Sequence, residues 1–178
     1  MQLKKLGLKR AGKALSLYRE AFPANERKPI LNLIRNAACG RYELFTAEDE
    51  TGFCGICNTV LHKDTVLIDY LAVAPQKRSC GFGTEILKEV FKRYEGRRIY
   101  LEIEDPDLPG EDKEMRQRRL AFYERSGFCR QTTKALVFSV HFELLSYGGN
   151  VSFCEYKATL KSVLGPLFWL LKIKEIHK

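Results

Sequence analysis

Leu71-Ala72-Val73-Ala74-Pro75-Gln76-Lys77-Arg78-Ser79-Cys80-Gly81-Phe82-Gly83-Thr84 is the stretch on which the fold turns. An apolar, β-like run from Val66 to Val73 stops at Pro75 and a polar loop follows. Phe82, Ile86, Leu87, Val90 and Phe91 then recur at helical spacing as far as Gly96. A strand that feeds a glycine-bearing loop and then a helix leaves the first N–H groups of that helix without intrahelical acceptors. Those groups carry partial positive charge and suit an anion. Gly81 and Gly83 let the backbone come close to it, and Lys77 and Arg78 add countercharge. The physics asks for an anionic ligand without naming one.

Upstream, Met1–Lys5 is a short candidate strand, and Ala11, Ala14, Leu15, Tyr18, Ala21 and Phe22 mark a helix that Pro23 stops. Pro29 suits the first turn of a second helix, with Ile30, Leu33, Ile34 and Ala37 on one face and Gly40 at its end. Tyr42–Ala47, Phe53–Leu61 and Val66–Val73 are β-rich runs joined by short turns, a meander. Downstream, Arg98–Glu104 alternates, with Ile99, Leu101 and Ile103 facing one way and Tyr100, Glu102 and Glu104 the other. An acidic loop, Asp105–Lys113, precedes a helix over Glu114–Ser126 closed by Gly127, and Phe128–Arg130 and Ala135–Phe142 supply the last strands.

The order β-α-α-β-β-β-α-β-α-β-β predicts an α/β (α+β) fold: a single mixed, mostly antiparallel central sheet flanked by helices. Residues 1–150 form the domain. Residues 151–178 form a helical extension, with Phe168, Trp169, Leu170 and Leu171 together, which packs on the domain or buries a homodimer interface.

Three known anion loops compete for the central stretch. A Walker loop needs Lys after its last Gly, and none stands there. A Rossmann fingerprint needs a third Gly where Ile86 stands, and its glycines follow the strand almost at once, whereas seven residues separate Val73 from Gly81. The third option fits: R-x-x-G-x-G at Arg78–Gly83, after V-x-P at Val73–Pro75, resembles the pyrophosphate loop of the GNAT superfamily of N-acetyltransferases. Leu120-Ala121-Phe122-Tyr123-Glu124-Arg125-Ser126-Gly127-Phe128 is similar to that family's last helix, which ends in Tyr followed four residues later by Gly-Phe. The resemblance covers Met1–Phe142.

It implies acetyl-CoA as cosubstrate, bound where two parallel strands splay apart, here Val66–Val73 and Arg98–Glu104. Main-chain groups of Leu71, Ala72 and Val73 would align the pantetheine and the acetyl carbonyl. N–H groups of Arg78, Ser79, Cys80, Gly81, Phe82, Gly83 and Thr84 would hold the pyrophosphate. Tyr123 would protonate the departing thiolate, a role open to a phenol, which keeps its proton at neutral pH. The acceptor ammonium must lose a proton before it attacks, so Glu102 and Glu104 are the candidate bases, with Asp69 a third. Each has a plainer reading: Tyr123 as a core aromatic, the glutamates as solvated residues or partners of Arg116, Arg118 or Arg119, and Asp69 as a structural hydrogen-bonding group. The chain departs from the family pattern at Arg116 and Arg119, where many members carry Asn and Ala, and at Cys80, where Lys or Arg is frequent.

Composition sets the bounds. The 178 residues carry 30 Lys+Arg against 22 Asp+Glu, a net charge of +8, and are 45% hydrophobic. That balance excludes disorder, collagen-like repeats and a membrane bundle. The apolar run Val163–Leu171 is broken by Gly165 and Pro166 and is far short of the roughly 20 residues of a spanning helix. Met1-Gln2-Leu3-Lys4-Lys5 leads into no apolar run, so no secretory signal is read and the cytoplasm is expected. Cys54-Gly55-Ile56-Cys57 lacks a second pair for zinc and sits on a strand, so its thiols read as core and no metal is expected.

The expectation is therefore acetyl transfer from acetyl-CoA to a primary amine by direct attack, with no nucleic-acid or membrane partner. Two alternatives stand beside it: a non-catalytic acyl-CoA-binding sensor, and a basic nucleic-acid-associated protein. The link Phe22–Ile30, carrying Glu26, Arg27 and Lys28, would line the acceptor side, and Asp105, Asp107, Glu111 and Asp112 could suit a basic acceptor.

Overall fold

The computed structural model describes residues 1–170 and 172–176; Leu171, the last of the apolar C-terminal run, and the two final residues lie outside them. Among the described residues the strands form one eight-stranded sheet, in chain order except that the seventh strand lies between the fifth and the sixth. The chain divides into two compact units, Met1–Leu61 with Ile68–Glu95, and His62–Leu67 with Gly96–Lys178.

The first unit opens with β1 (Gln2–Lys5), α1 (Leu8–Ala21), α2 (Ile30–Ala38) and β2 (Tyr42–Asp49). β3 (Gly52–His62) and β4 (Thr65–Val73) follow, then a 3₁₀ turn at Pro75–Lys77 and α3 (Phe82–Arg93). β1 pairs antiparallel with β2, and β2 with β3. Between Ala47 and Glu48 the second register shifts, leaving Cys54 as the extra residue of a bulge. Cys54 and Cys57 are both buried, as a strand-borne C-x-x-C of core thiols requires, and burial pushes the Cys57 thiol up to about 12. The other four cysteines are exposed. α2 packs on β2 and α3 on β1. Ile86 and Leu87, with Val90 one helical turn on, bury the inner stripe of α3.

In the second unit β5 (Arg98–Glu104) runs parallel to the start of β4, with Thr65, Val66 and Leu67 opposite Arg98, Ile99 and Tyr100. α4 (Lys113–Arg125) packs on β5 and on β6 (Cys129–Val137). β7 (Val140–Tyr147) pairs antiparallel with both β5 and β6. This corrects the strand expected over Ala135–Phe142, because the chain reverses at Phe138-Ser139 in the middle of that run. Phe138 takes a left-handed φ of 56°, unusual for a bulky residue, and no Gly, Pro, Asn or Asp signals the turn.

The C-terminal extension contributes α5 (Phe153–Leu164), a 3₁₀ segment at Gly165–Leu170 and β8 (Ile173–Ile176), an edge strand paired antiparallel with β6. α5 packs on β6. Its start is fixed by a capping box: Ser152 Oγ accepts from Glu155 N, and Glu155 Oε2 accepts from Ser152 N.

Glu155 also receives Arg98 at 2.6 Å, and Arg98 in turn pairs with Asp64 at 2.7 Å. Hydrogen bonds from Arg98 first and Ser152 second hold the Glu155 carboxyl down at about 2, against an ordinary 4.5. A depressed folded-state pKa gives stability that is complete above the unfolded value and is lost as pH falls through the folded one. The C-terminal helix is therefore expected to loosen as pH falls from about 4.5 towards about 2. An acid titration followed by helix ellipticity checks this. Arg98→Ala should move the transition to higher pH, and an unmoved transition would remove the Arg98–Glu155 pair from the account.

Candidate active site

β3 lies beside β4 in the sheet, and near the end of β4 the two backbones approach closely at Gly55. A Cβ at Gly55 would lie 2.4 Å from the carbonyl oxygen of Ala72 and 3.2 Å from Ile86 Cδ1, and Ala74 N donates to Cys54 O at 2.8 Å. Only glycine permits that approach. Gly55→Ala should displace the Ala72 peptide and cost about 1–3 kcal/mol. A thermal melt within experimental error of the parent would show that the strand yields freely.

Leu71 and Val73 are half-buried and Ala72 is buried. After the 3₁₀ turn the backbone is contorted: Ser79 (φ 60°) and Gly81 (φ 80°) are both left-handed. Gly81 caps α3 with no side-chain hydrogen bond. The first-turn N–H groups of Phe82, Gly83 and Thr84 thus have no intrahelical acceptor, while Glu85 N already bonds Gly81 O at 3.2 Å. Arg78, Ser79, Cys80 and Gly81 are all exposed.

Arg78 leans back, Nε to Val73 O at 3.2 Å, with Glu20 3.5 Å from its guanidinium. Lys77, in the same loop, is engaged by neighbouring side chains. Its ammonium binds Thr51 Oγ1 at 2.5 Å, sits 3.7 Å from Asp49 and lies over the Phe82 ring. Glu85, the one acid in the first turn of α3, is paired with Lys88 at 2.8 Å.

The α1–α2 link is tied to β4 by an aromatic and ionic cluster. Lys28 Nζ donates to both oxygens of Asp69, at 2.6 and 2.8 Å, with the Asp69 side chain 3% exposed. Lys28 N donates to Tyr70 Oη, Tyr70 Oη to Glu26 O, and Tyr18 Oη to Lys28 O. Phe22 and Tyr18 meet the Tyr70 ring edge-on, each with centroids 4.8 Å apart. Burial above all pushes the Tyr70 and Tyr18 phenols up, so both remain donors. Asp69 is therefore the anchor of a structural ion pair, the plainer of its two readings.

In the second unit Glu102 and Glu104 lie two residues apart on β5, hence on one face. Glu102 Oε2 accepts a short hydrogen bond from Tyr156 Oη of α5. Glu104 lies 3.9 Å from Arg116, whose Nη2 donates to Leu108 O at 2.7 Å and whose buried Nε has no hydrogen-bond partner among the described residues. Arg119 is exposed. Tyr123 is half-buried on α4, its ring against Phe122 at 5.0 Å and edge-on to Phe128 at 5.7 Å. The Gly127-Phe128 ending explains that position: Phe128 N returns to Tyr123 O at 3.1 Å, so the helix terminus folds Phe128 beneath the tyrosine.

The acidic loop is partly neutralised. Lys134 binds Asp105 at 2.7 Å, and Arg130 binds Asp107 at 2.6 Å and Glu143 at 2.5 Å. Burial alone would raise the Asp105 carboxyl, yet the Lys134 ammonium holds it below its ordinary value. Asp105, Asp107 and Glu143 bring oxygens within 4.8 Å of one another, and these two cations occupy that cluster. Of the four loop acids, Asp107, Glu111 and Asp112 are exposed, and Glu111 and Asp112 lie outside this cluster.

Leu71–Thr84 belong to the first unit and Glu102, Glu104 and Tyr123 to the second. Tyr156 was absent from the sequence-based site, and Lys28 entered it only as part of the acceptor-side link, not as the partner of Asp69. Tyr156 sits beyond the last expected strand, and a lysine that neutralises a buried acid 41 positions away leaves no local signature.

A family model described as an acetyltransferase (GNAT) domain matches residues 40–130. No curated protein sequence matches the chain significantly. Among solved structures, a GNAT-family protein from Bacteroides thetaiotaomicron superposes with a TM-score of 0.77 at 18% identity, covering 94% of this chain and 98% of its own. An aminoglycoside 6'-N-acetyltransferase complexed with coenzyme A gives 0.64 at 14% identity, over 82% and 96%. Spermidine N-acetyltransferase from Vibrio cholerae, in complex with CoA and spermine, gives 0.62 at 14%, over 82% and 93%. At these identities the superpositions establish the fold.

Proposed function

The chain belongs to the GNAT acetyltransferase family, and we propose that it transfers an acetyl group from acetyl-CoA to a primary amine by direct attack. The observation that carries this is the loop after β4: two left-handed residues, Ser79 and Gly81, deliver an uncapped helix start whose N–H groups are set for a pyrophosphate. The residues fit the cosubstrate. Glycine stands where close approach is needed, Arg78 is exposed beside the helix start, and the acid of the first turn is already paired.

Acetyl-CoA supplies the thioester that the amine attacks. Leu71, Ala72 and Val73 offer main-chain groups to its pantetheine, and Arg78–Thr84 hold its phosphates. Glu102 or Glu104 takes the ammonium proton, leaving the nitrogen lone pair free to attack. Tyr123 gives its proton to the departing sulfur. Cys80 has no covalent role, since it sits in the phosphate loop. Relatives that bind spermine or act on aminoglycosides support an amine acceptor and do not select among amines.

A thermal-shift titration tests the cosubstrate. A ligand at about 100 times its dissociation constant adds about 2.7 kcal/mol to the folded state. Acetyl-CoA and CoA should each raise Tm by several degrees while NAD and ATP do not. No shift with either acetyl-CoA or CoA at millimolar concentration would overturn the assignment.

A further inference from the structure

The 3₁₀ segment Gly165–Leu170 is unusual in what it shows to solvent. Phe168 turns inward at 4% exposure, while Leu167, Trp169 and Leu170 stand 46, 74 and 67% exposed. Lysines surround them. Lys161 Nζ lies 5.2 Å from the centre of the Trp169 ring, and Lys157, Lys172 and Lys174 line a groove beside it with Phe168, Trp169 and Ile173. From Tyr156 to Ile176 the chain carries these four lysines against one acid, Glu175.

We infer that this patch is an interfacial docking surface for an anionic lipid bilayer. Tryptophan and leucine at a membrane interface bury apolar area, with the indole edge at headgroup depth, while flanking lysines draw in anionic headgroups. The charge sets the sign of the partner. A second copy docking the same patch would bring two sets of four lysines together, which a two-fold contact cannot relieve. The apolar part decides against an acidic protein: three side chains on six residues are far short of the roughly 20–30 residues a side of a stable protein interface. They are enough for peripheral binding, in which insertion and electrostatics add. No helix among the described residues is long and apolar enough to cross a membrane, so the contact lies along the surface. The sequence analysis expected no membrane partner; the inference departs from it because the exposure of Trp169 follows from the tertiary placement of Phe168. The proposal is independent of the acetyltransferase reading.

Trp169 is the only tryptophan, so its emission reports on the patch alone. The full chain is titrated with vesicles of phosphatidylcholine and of phosphatidylcholine mixed with phosphatidylglycerol, with cosedimentation in parallel. The expected result is a blue shift and pelleting with the anionic vesicles only, reversed by salt. Replacing Lys157, Lys161, Lys172 and Lys174 together by Gln should weaken partition roughly a hundredfold or more. Leu170→Ala, read by the same emission, should also weaken it. All these side chains are exposed, and an unchanged melting temperature confirms that the variants fold.

No emission change and no pelleting with anionic vesicles at low salt would overturn the inference. So would a blue shift that grows with protein concentration in the absence of lipid, which would assign the patch to a second copy. A response to single-stranded RNA but not to vesicles would assign it to nucleic acid and overturn it equally.

Discussion

Tyr123→Phe is expected to lower kcat by about 10²- to 10⁴-fold while leaving the affinity for acetyl-CoA nearly unchanged. The substitution removes one oxygen. The ring contacts to Phe122 and Phe128 remain, and the helix terminus depends on the Tyr123 carbonyl rather than its side chain. The change therefore isolates proton donation to the sulfur from packing. Steady-state kinetics with a thermal melt as control make the measurement. A fall in stability with unchanged kcat would mean that Tyr123 is a packing residue. Full activity together with full stability would require another donor.

The second large effect concerns the base. Glu102→Gln is expected to lower kcat/KM by about 10²- to 10³-fold at neutral pH, and Glu104→Gln by less if Glu102 carries the proton. Tyr156→Phe separates Glu102 from its neighbour without removing either carboxylate. The phenol of Tyr156 donates to the Glu102 carboxylate and so holds its orientation. Tyr156→Phe should therefore lower kcat/KM in the parent and add nothing in a Glu102→Gln background. A merely structural Tyr156 would change the melting temperature and affect both backgrounds alike. An equal effect in both backgrounds, with Glu104→Gln the more damaging variant, would transfer the role to Glu104.

The parts of the fold visible in the sequence are those with a local physical cause. Pro75 after an apolar run, then glycines, then an amphipathic stripe, place β4, the loop and α3 almost to the residue. Pro23, Gly40 and Gly127 mark the helix ends in the same way. The β6–β7 turn was hidden because Phe138, not a turn residue, holds the left-handed position, so Ala135–Phe142 looked like unbroken strand. β8 was hidden because four residues at the edge of a sheet gain their conformation from β6, not from their own pattern. The candidate site divides likewise. The loop's geometry follows from Gly81, which sequence exposes. The partners of its acids, Lys28 on Asp69, Lys134 on Asp105 and Tyr156 on Glu102, follow from long-range packing, which sequence does not expose. The consequence is practical: two carboxylates that composition offers to an acceptor, Asp69 and Asp105, are already committed to cations.

The measurement closest to the central claim is turnover itself. The intact chain is incubated with acetyl-CoA and a panel of primary amines spanning polyamines, amino-acid derivatives, aminoglycosides and peptides. Release of free CoA thiol is followed beside the mass of each amine. The account requires at least one amine to gain a single acetyl group in step with thiol release, and Tyr123→Phe to suppress both. Tight binding of acetyl-CoA with no acetylated amine across the panel would contradict it and leave an acyl-CoA-binding protein in its place.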